Sequence, residues 1–201
     1  MKKRSAEIKR KTRETNITAK LTIDGSGRPK VNTGIGILDH MLELFTFHGL
    51  FDLELSAKGD FKVDIHHTNE DIGIVLGEAF KKALGDKKGI RRFGSGQVPM
   101  EEVVANATVD ISGRGYFKLY YGKNVIVPKM QEGYTFIDAE HLLESFAQHL
   151  GMNLNIKVDP LSQDLHKSLE PIFKALGVAL DQATQIDSRR KGIPSTKGII
   201  D

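Results

Sequence analysis

The chain has 201 residues, 39% of them hydrophobic, which is enough to bury a core in one globular unit or two closely packed halves. It has no cysteine, which excludes a disulfide scaffold, a thiolate metal site and a thiol nucleophile. The net charge is only +3, and no apolar run approaches the roughly 18 residues of a membrane helix, so a cytoplasmic protein bound to neither membrane nor nucleic acid is expected.

The first positive charges (Lys2, Lys3, Arg4, Lys9, Arg10, Lys11, Arg13) read as a solvated tail that attracts small anions, as do Arg189, Arg190 and Lys191. Gly25-Ser26-Gly27-Arg28-Pro29 reads as a hairpin turn between short strands at 17–23 and 30–33. Met41, Leu42 and Phe45 recur at helical spacing, which predicts a helix over 39–48. Alternation predicts strands at 52–57 and 60–65, then a helix over 69–84 closed by Gly85. Strands follow at 103–112 and 116–121, a helix at 139–150, a strand at 153–158 and an amphipathic helix at 165–183. This order predicts an α/β sandwich of mixed sheets with helices on one face.

The chain also repeats itself. Asp39-His40-Met41-Leu42-Glu43-Leu44-Phe45, with His48 following, answers Glu140-His141-Leu142-Leu143-Glu144-Ser145-Phe146, with His149 following, at an offset of 101 residues. His66 and Glu70 answer His166 and Glu170 at an offset of 100. Two halves related by a pseudo-twofold are therefore expected, 1–93 and 94–201, each a four-stranded sheet with its helices, together forming one catalytic domain.

Six of the seven histidines fall inside this repeat, which a set of unrelated surface histidines would not do. In His66-His67-Thr68-Asn69-Glu70-Asp71, His66 and His67 precede Glu70 by four and three residues, so each pair shares a helix face. Adjacent histidines point in different directions, so one pair can serve two metals. Imidazole and carboxylate donors without thiolate suit manganese, iron or zinc better than magnesium or calcium. His166 and Glu170 repeat the arrangement. Ile193-Pro194-Ser195-Thr196-Lys197-Gly198 supplies hydroxyls, an ammonium and glycine backbone for a phosphate, and Arg91, Arg92 and Arg114 could add guanidinium contacts. Walker, GxGxxG, GxSxG and HExxH patterns are all absent. With only 7% aromatics, an RNA-binding reading lacks its stacking surface.

Seven segments, in order, resemble the imidazoleglycerol-phosphate dehydratase family over nearly the whole chain. They are Arg10-Lys11-Thr12-Arg13-Glu14-Thr15, the stretch from Thr33 to Leu42, His66 to Asp71, Gly89-Ile90-Arg91-Arg92-Phe93-Gly94, Val98-Pro99-Met100-Glu101-Glu102, Val109 to Arg114, and Pro194-Ser195-Thr196-Lys197-Gly198. The resemblance implies a lyase of histidine biosynthesis that removes water from D-erythro-imidazole glycerol phosphate to give imidazole acetol phosphate. It implies two manganese ions per subunit, shared between subunits of a homo-oligomer of 24. One metal would take His40, His67 and Glu70; the other would take His66, His141, His166 and Glu170. Glu14 is the implied acid/base carboxylate, with Glu70 or Glu170 next. Arg92, Arg114, Lys174, Ser195 and Lys197 match substrate and phosphate contacts. His48 lines the substrate site, which Glu14, His40, His66, Glu70 and His166 also reach.

The pattern breaks at Lys167, which stands where a second histidine is expected. A lysine with a reference pKa of about 10.4 is a cation and no ligand. Water or substrate fills the vacancy, or the first metal binds weakly, or the chain is a metal-binding assembly paralogue with weak or no turnover. Leu44 and Gly115 are smaller departures from the family pattern.

Overall fold

The computed structural model describes residues 3–62, 64–122 and 125–200. The chain runs β1 (Ser5–Lys11), β2 (Thr15–Thr22), β3 (Arg28–Asn32), α1 (Gly36–His48), β4 (Asp52–Gly59) and α2 (His66–Leu84). It then repeats that order with β5 (Phe93–Met100), β6 (Val103–Asp110), β7 (Tyr116–Tyr120), α3 (Phe136–Leu150), β8 (Asn153–Asp159) and α4 (Leu165–Thr184). The sheets have matching strand orders, β1-β2-β4-β3 and β5-β6-β8-β7. In each, the first three strands in that order are antiparallel and the last pair is parallel, joined through a helix. The α/β architecture of two pseudo-symmetric halves is thus the one the repeat predicted.

One face of each sheet is apolar. Ile17, Ala19 and Leu21 alternate inward along β2, and Ala105, Ala107 and Val109 do so along β6. That alternation is the period-two consequence of a pleated strand with one buried side. The helices cover these faces and then pack across the pseudo-twofold, α1 on α4 and α2 on α3. Phe45, Phe51, Phe80 and Phe146 meet where the halves join, with ring centroids 5.0–6.0 Å apart. Edge-on aromatic packing of this kind adds about 0.5–1.5 kcal/mol per pair beyond burial.

Three expectations are corrected. The strands flanking Gly25–Pro29 do not form a hairpin: β3 passes beyond β2 and pairs in parallel with β4. Gly25 lies so close to β4 that an added Cβ would sit 2.4 Å from Asp52 N, and the Asp52 carboxylate accepts bonds from Ser26 N and Arg28 N. The turn is therefore held by the third strand instead of closing on itself. Secondly, the described residues of 60–65 form a turn and bend, with Val63 outside the described residues. Asp64 accepts from His66 N at 2.8 Å and starts α2 three residues earlier than periodicity alone predicts. Thirdly, the N-terminal basic segment is no tail. It forms edge strand β1, with Arg4 on Asp24 and Arg10 on Asp71; Lys2 lies outside the described residues. Charged side chains suit an edge, because they discourage further strand pairing. Near the other end, Arg189 pairs with Asp187.

Candidate metal centre and anion clamp

The helix pairing brings the repeated histidines together as two clusters. In the first, His40 comes from α1 and His166 and Glu170 from α4. His166 Nε2 lies 2.7 Å and His40 Nε2 3.8 Å from Glu170 Oε2, and the two imidazoles stack at 5.0 Å. One donor atom from each residue fits within a 4.8 Å span, a candidate cation set and the one such set among the described residues. Local bonds fix both helices here. Asp39 accepts from Thr33 N and Thr33 Oγ1 at the start of α1, and Asp164 caps α4 through Lys167 N.

Glu170 is buried, and its other oxygen takes the Lys174 ammonium one turn on. Burial alone would push this carboxyl up. The hydrogen bonds from Lys174 and His166 outweigh it and hold the group below the usual carboxylate range. His48, on the last turn of α1, is held below the usual imidazole range by burial and then by the Lys174 charge, with Glu170 opposing. Lys174, matched by the resemblance to a substrate contact, is thus also the counter-ion of a ligand candidate.

In the second cluster His66 and His67 come from α2 and His141 from α3. The His66 ring stands edge-on to His141 at 5.2 Å and to His67 at 5.7 Å. His141 Nδ1 is buried and has no hydrogen-bond partner. A buried polar nitrogen left so costs free energy unless another group engages it, and an unprotonated imidazole nitrogen is a good metal ligand. Its environment therefore fits a metal. Glu70 is exposed one turn after His66, without a hydrogen-bond or ion-pair partner among the described residues.

The two implied ligand sets do not assemble within one chain. His40 stands with His166 and Glu170, and His67 stands with His66 and His141. Glu14 is exposed in the turn between β1 and β2, held by a bond from its own N–H to Thr12 Oγ1 and by Asp60 N, which donates to its carbonyl. It touches neither cluster.

Arg92, at φ +74°, is committed internally. Its guanidinium forks onto Asp110 at 2.6 and 3.1 Å and donates to the Pro194 carbonyl at 2.9 Å. It braces the segment carrying Ser195 and Lys197, where Ser195 Oγ accepts from Lys197 N and Gly198 turns at φ +76°. Arg114 is exposed just beyond β6, whose end is bonded to Arg92 through Ile111 N. The basic groups thus gather at one end of the second sheet, with Arg114 and Lys197 open to an anion.

A cavity of about 700 Å³ is lined by Arg4, Asp24, Leu50, Asp181 and Ile186 and includes none of these groups. Two features gave no sequence signal. Gly77 and Gly177 occupy equivalent places and let α2 and α4 approach α3 and α1 closely. Lys167 is bound to Glu101 at 2.5 Å. No helix among the described residues is long and apolar enough to cross a membrane.

A duplicated α/β unit that presents histidine–carboxylate clusters from paired helices beside a basic loop defines a candidate metal-dependent enzyme of small phosphorylated substrates. The family model for imidazoleglycerol-phosphate dehydratase matches residues 33–180. The Pelobacter propionicus enzyme of that name is 51% identical over 98% of this chain and 99% of its own length. That of Methanocella arvoryzae is 49% identical over 98% and 100%. Among solved structures, the Pyrococcus furiosus enzyme superposes with a TM-score of 0.80 at 32% identity, covering 96% of this chain and 99% of that one. The Staphylococcus aureus enzyme superposes at 0.77 and 30% identity, covering 91% and 99%. The chain belongs to the imidazoleglycerol-phosphate dehydratase family, hydro-lyases of histidine biosynthesis.

Proposed function

We infer that this chain dehydrates D-erythro-imidazole glycerol phosphate to imidazole acetol phosphate with manganese held between copies of the chain in a homo-oligomer. The observation that carries it is the pair of histidine clusters related by the internal repeat, one with a buried partnerless imidazole nitrogen. Manganese, when bound, supplies Lewis-acid polarisation of the imidazole ring and a template for the substrate.

The remaining chemistry belongs to side chains. Glu14 is the first choice to take the carbon-bound proton, with Glu70 or Glu170 second; a positioned carboxylate contributes about 10²–10⁴-fold. Lys174 and His166 keep Glu170 ionised, as a metal-holding carboxylate must be. Arg114, Ser195 and Lys197 grip the phosphate, a remote group whose binding energy orients the reacting carbon. Glu14 belongs to this site only if another copy brings it there, since it touches neither cluster of its own chain. A particle of 24 subunits in the cytoplasm is proposed on the resemblance.

The test is to load the purified protein with Mn²⁺, supply imidazole glycerol phosphate and follow imidazole acetol phosphate. His141→Ala and His166→Ala should each abolish product formation. Full turnover in either variant would sink the assignment, and absence of product from the loaded wild type would favour an assembly protein without turnover.

A further inference from the structure

The internal repeat makes the two halves of the candidate centre directly comparable. His40 answers His141, His166 answers His66 and Glu170 answers Glu70. The ring contacts agree: His40 meets His166 at 5.0 Å and His66 meets His141 at 5.2 Å. One position departs. Where α2 carries His67, α4 carries Lys167. Its ammonium lies 2.5 Å from Glu101 Oε2, in the turn between β5 and β6. That side chain therefore has a partner outside the histidine cluster. An ammonium has donors and no lone pair to offer a metal.

We propose that the two metal positions of this protein are unequal: α2 contributes a full histidine pair, α4 contributes His166 alone, and the Lys167–Glu101 ion pair occupies the place of the missing imidazole. This rests on the metal-centre reading above. The position that Lys167 would have served then has one protein ligand fewer than its counterpart. Removing even an outer partner of a metal ligand weakens binding by about 10–100-fold, so loss of a direct ligand weakens it by at least that much. Lys167 thus sets how many metals stay bound at limiting supply.

The experiment is Mn²⁺ titration of the assembled protein, followed by calorimetry and by the six-line electron paramagnetic resonance signal of free Mn²⁺. Neither readout depends on turnover. Wild type should fill one position per chain tightly and a second at least about 10–100-fold more weakly. Lys167→His should tighten the weak position by that factor and leave the strong one unchanged. Lys167→Ala removes the charge without adding a ligand and should leave the weak position weak. Two equally tight positions in the wild type would overturn the inference and leave the function standing. Equal tightening by alanine and histidine would also overturn it, because charge repulsion would then be the cause. No bound metal in any form would overturn both.

Discussion

The approach of α2 to α3 places His66 against His141, and a single methyl group tests how that approach is achieved. A Cβ built on Gly77 would lie 2.7 Å from His149 Cβ, 2.8 Å from Leu150 N and 2.9 Å from Phe146 O. On the other side of the pseudo-twofold, a Cβ on Gly177 would lie 2.5 Å from Phe45 O and 3.0 Å from Gly49 N. Carbon atoms rest about 3.5–4.0 Å apart, so α3 must retreat by roughly 1 Å to accept alanine at 77. Most of the atoms in the way are backbone and cannot swing aside. Overpacking of this kind costs about 1–3 kcal/mol. Alanine in a helix interior returns about 1 kcal/mol relative to glycine. The expected net effect of Gly77→Ala is therefore a loss of about 1 kcal/mol, which lowers the melting temperature by about 2–4 °C in a chain of this size. Gly177→Ala should shift it in the same direction. Urea and thermal unfolding at fixed protein concentration read both. Stabilisation by about 1 kcal/mol, as at an exposed helix position, would refute close helix approach as the reason for these glycines.

Two further predictions concern the frame around the centre. Tyr134 is fully buried and donates to Asn69 Oδ1 at 2.9 Å, while Asn69 Nδ2 donates to the Asp138 carbonyl at 2.7 Å. Tyr134→Phe strands a buried acceptor between α2 and α3 and should cost about 1–3 kcal/mol by urea unfolding; no change would mean that Asn69 finds another donor. Asp52 is held well below the usual carboxylate range, first by the Arg28 side chain and then, against burial, by the N–H groups of Ser26 and Arg28. A carboxyl lowered on folding adds stability above its unfolded pKa of about 3.9 and loses it as pH falls towards the folded value. Asp52→Asn should therefore lower the melting temperature at pH 7, with the gap to wild type narrowing below pH 4; a constant gap down to pH 2 would exclude the carboxylate charge as the cause.

By itself the sequence determined what chemistry the chain can hold. The repeat at an offset of about 100 residues, the histidine–carboxylate spacing at 66–70 and the Ser195–Lys197 turn are local patterns, and helix spacing of three to four residues makes them legible. The positions of all four helices were legible for the same reason, to within three residues at their starts. Only the tertiary structure decided which local pieces meet. Strand β5 escaped periodicity because Gly94 and Gly96 replace side chains that would collide with the α4 backbone, a demand made by a helix some 80 residues away. Strand β1 looked like a charged tail because Lys9 and Lys11 face outward at a sheet edge, while Arg10 turns to the helix side and finds Asp71, and Arg4, just before the strand, finds Asp24. The supposed hairpin failed because β4, a third strand, competes for β3. The pairing of His40 with His166 and of His66 with His141 follows from helix packing across the pseudo-twofold, and the Lys167–Glu101 pair spans 66 residues. Spacing along a chain fixes neighbours within a turn or two of helix; contacts over such separations exist only after the core has closed and brought distant segments to the same place.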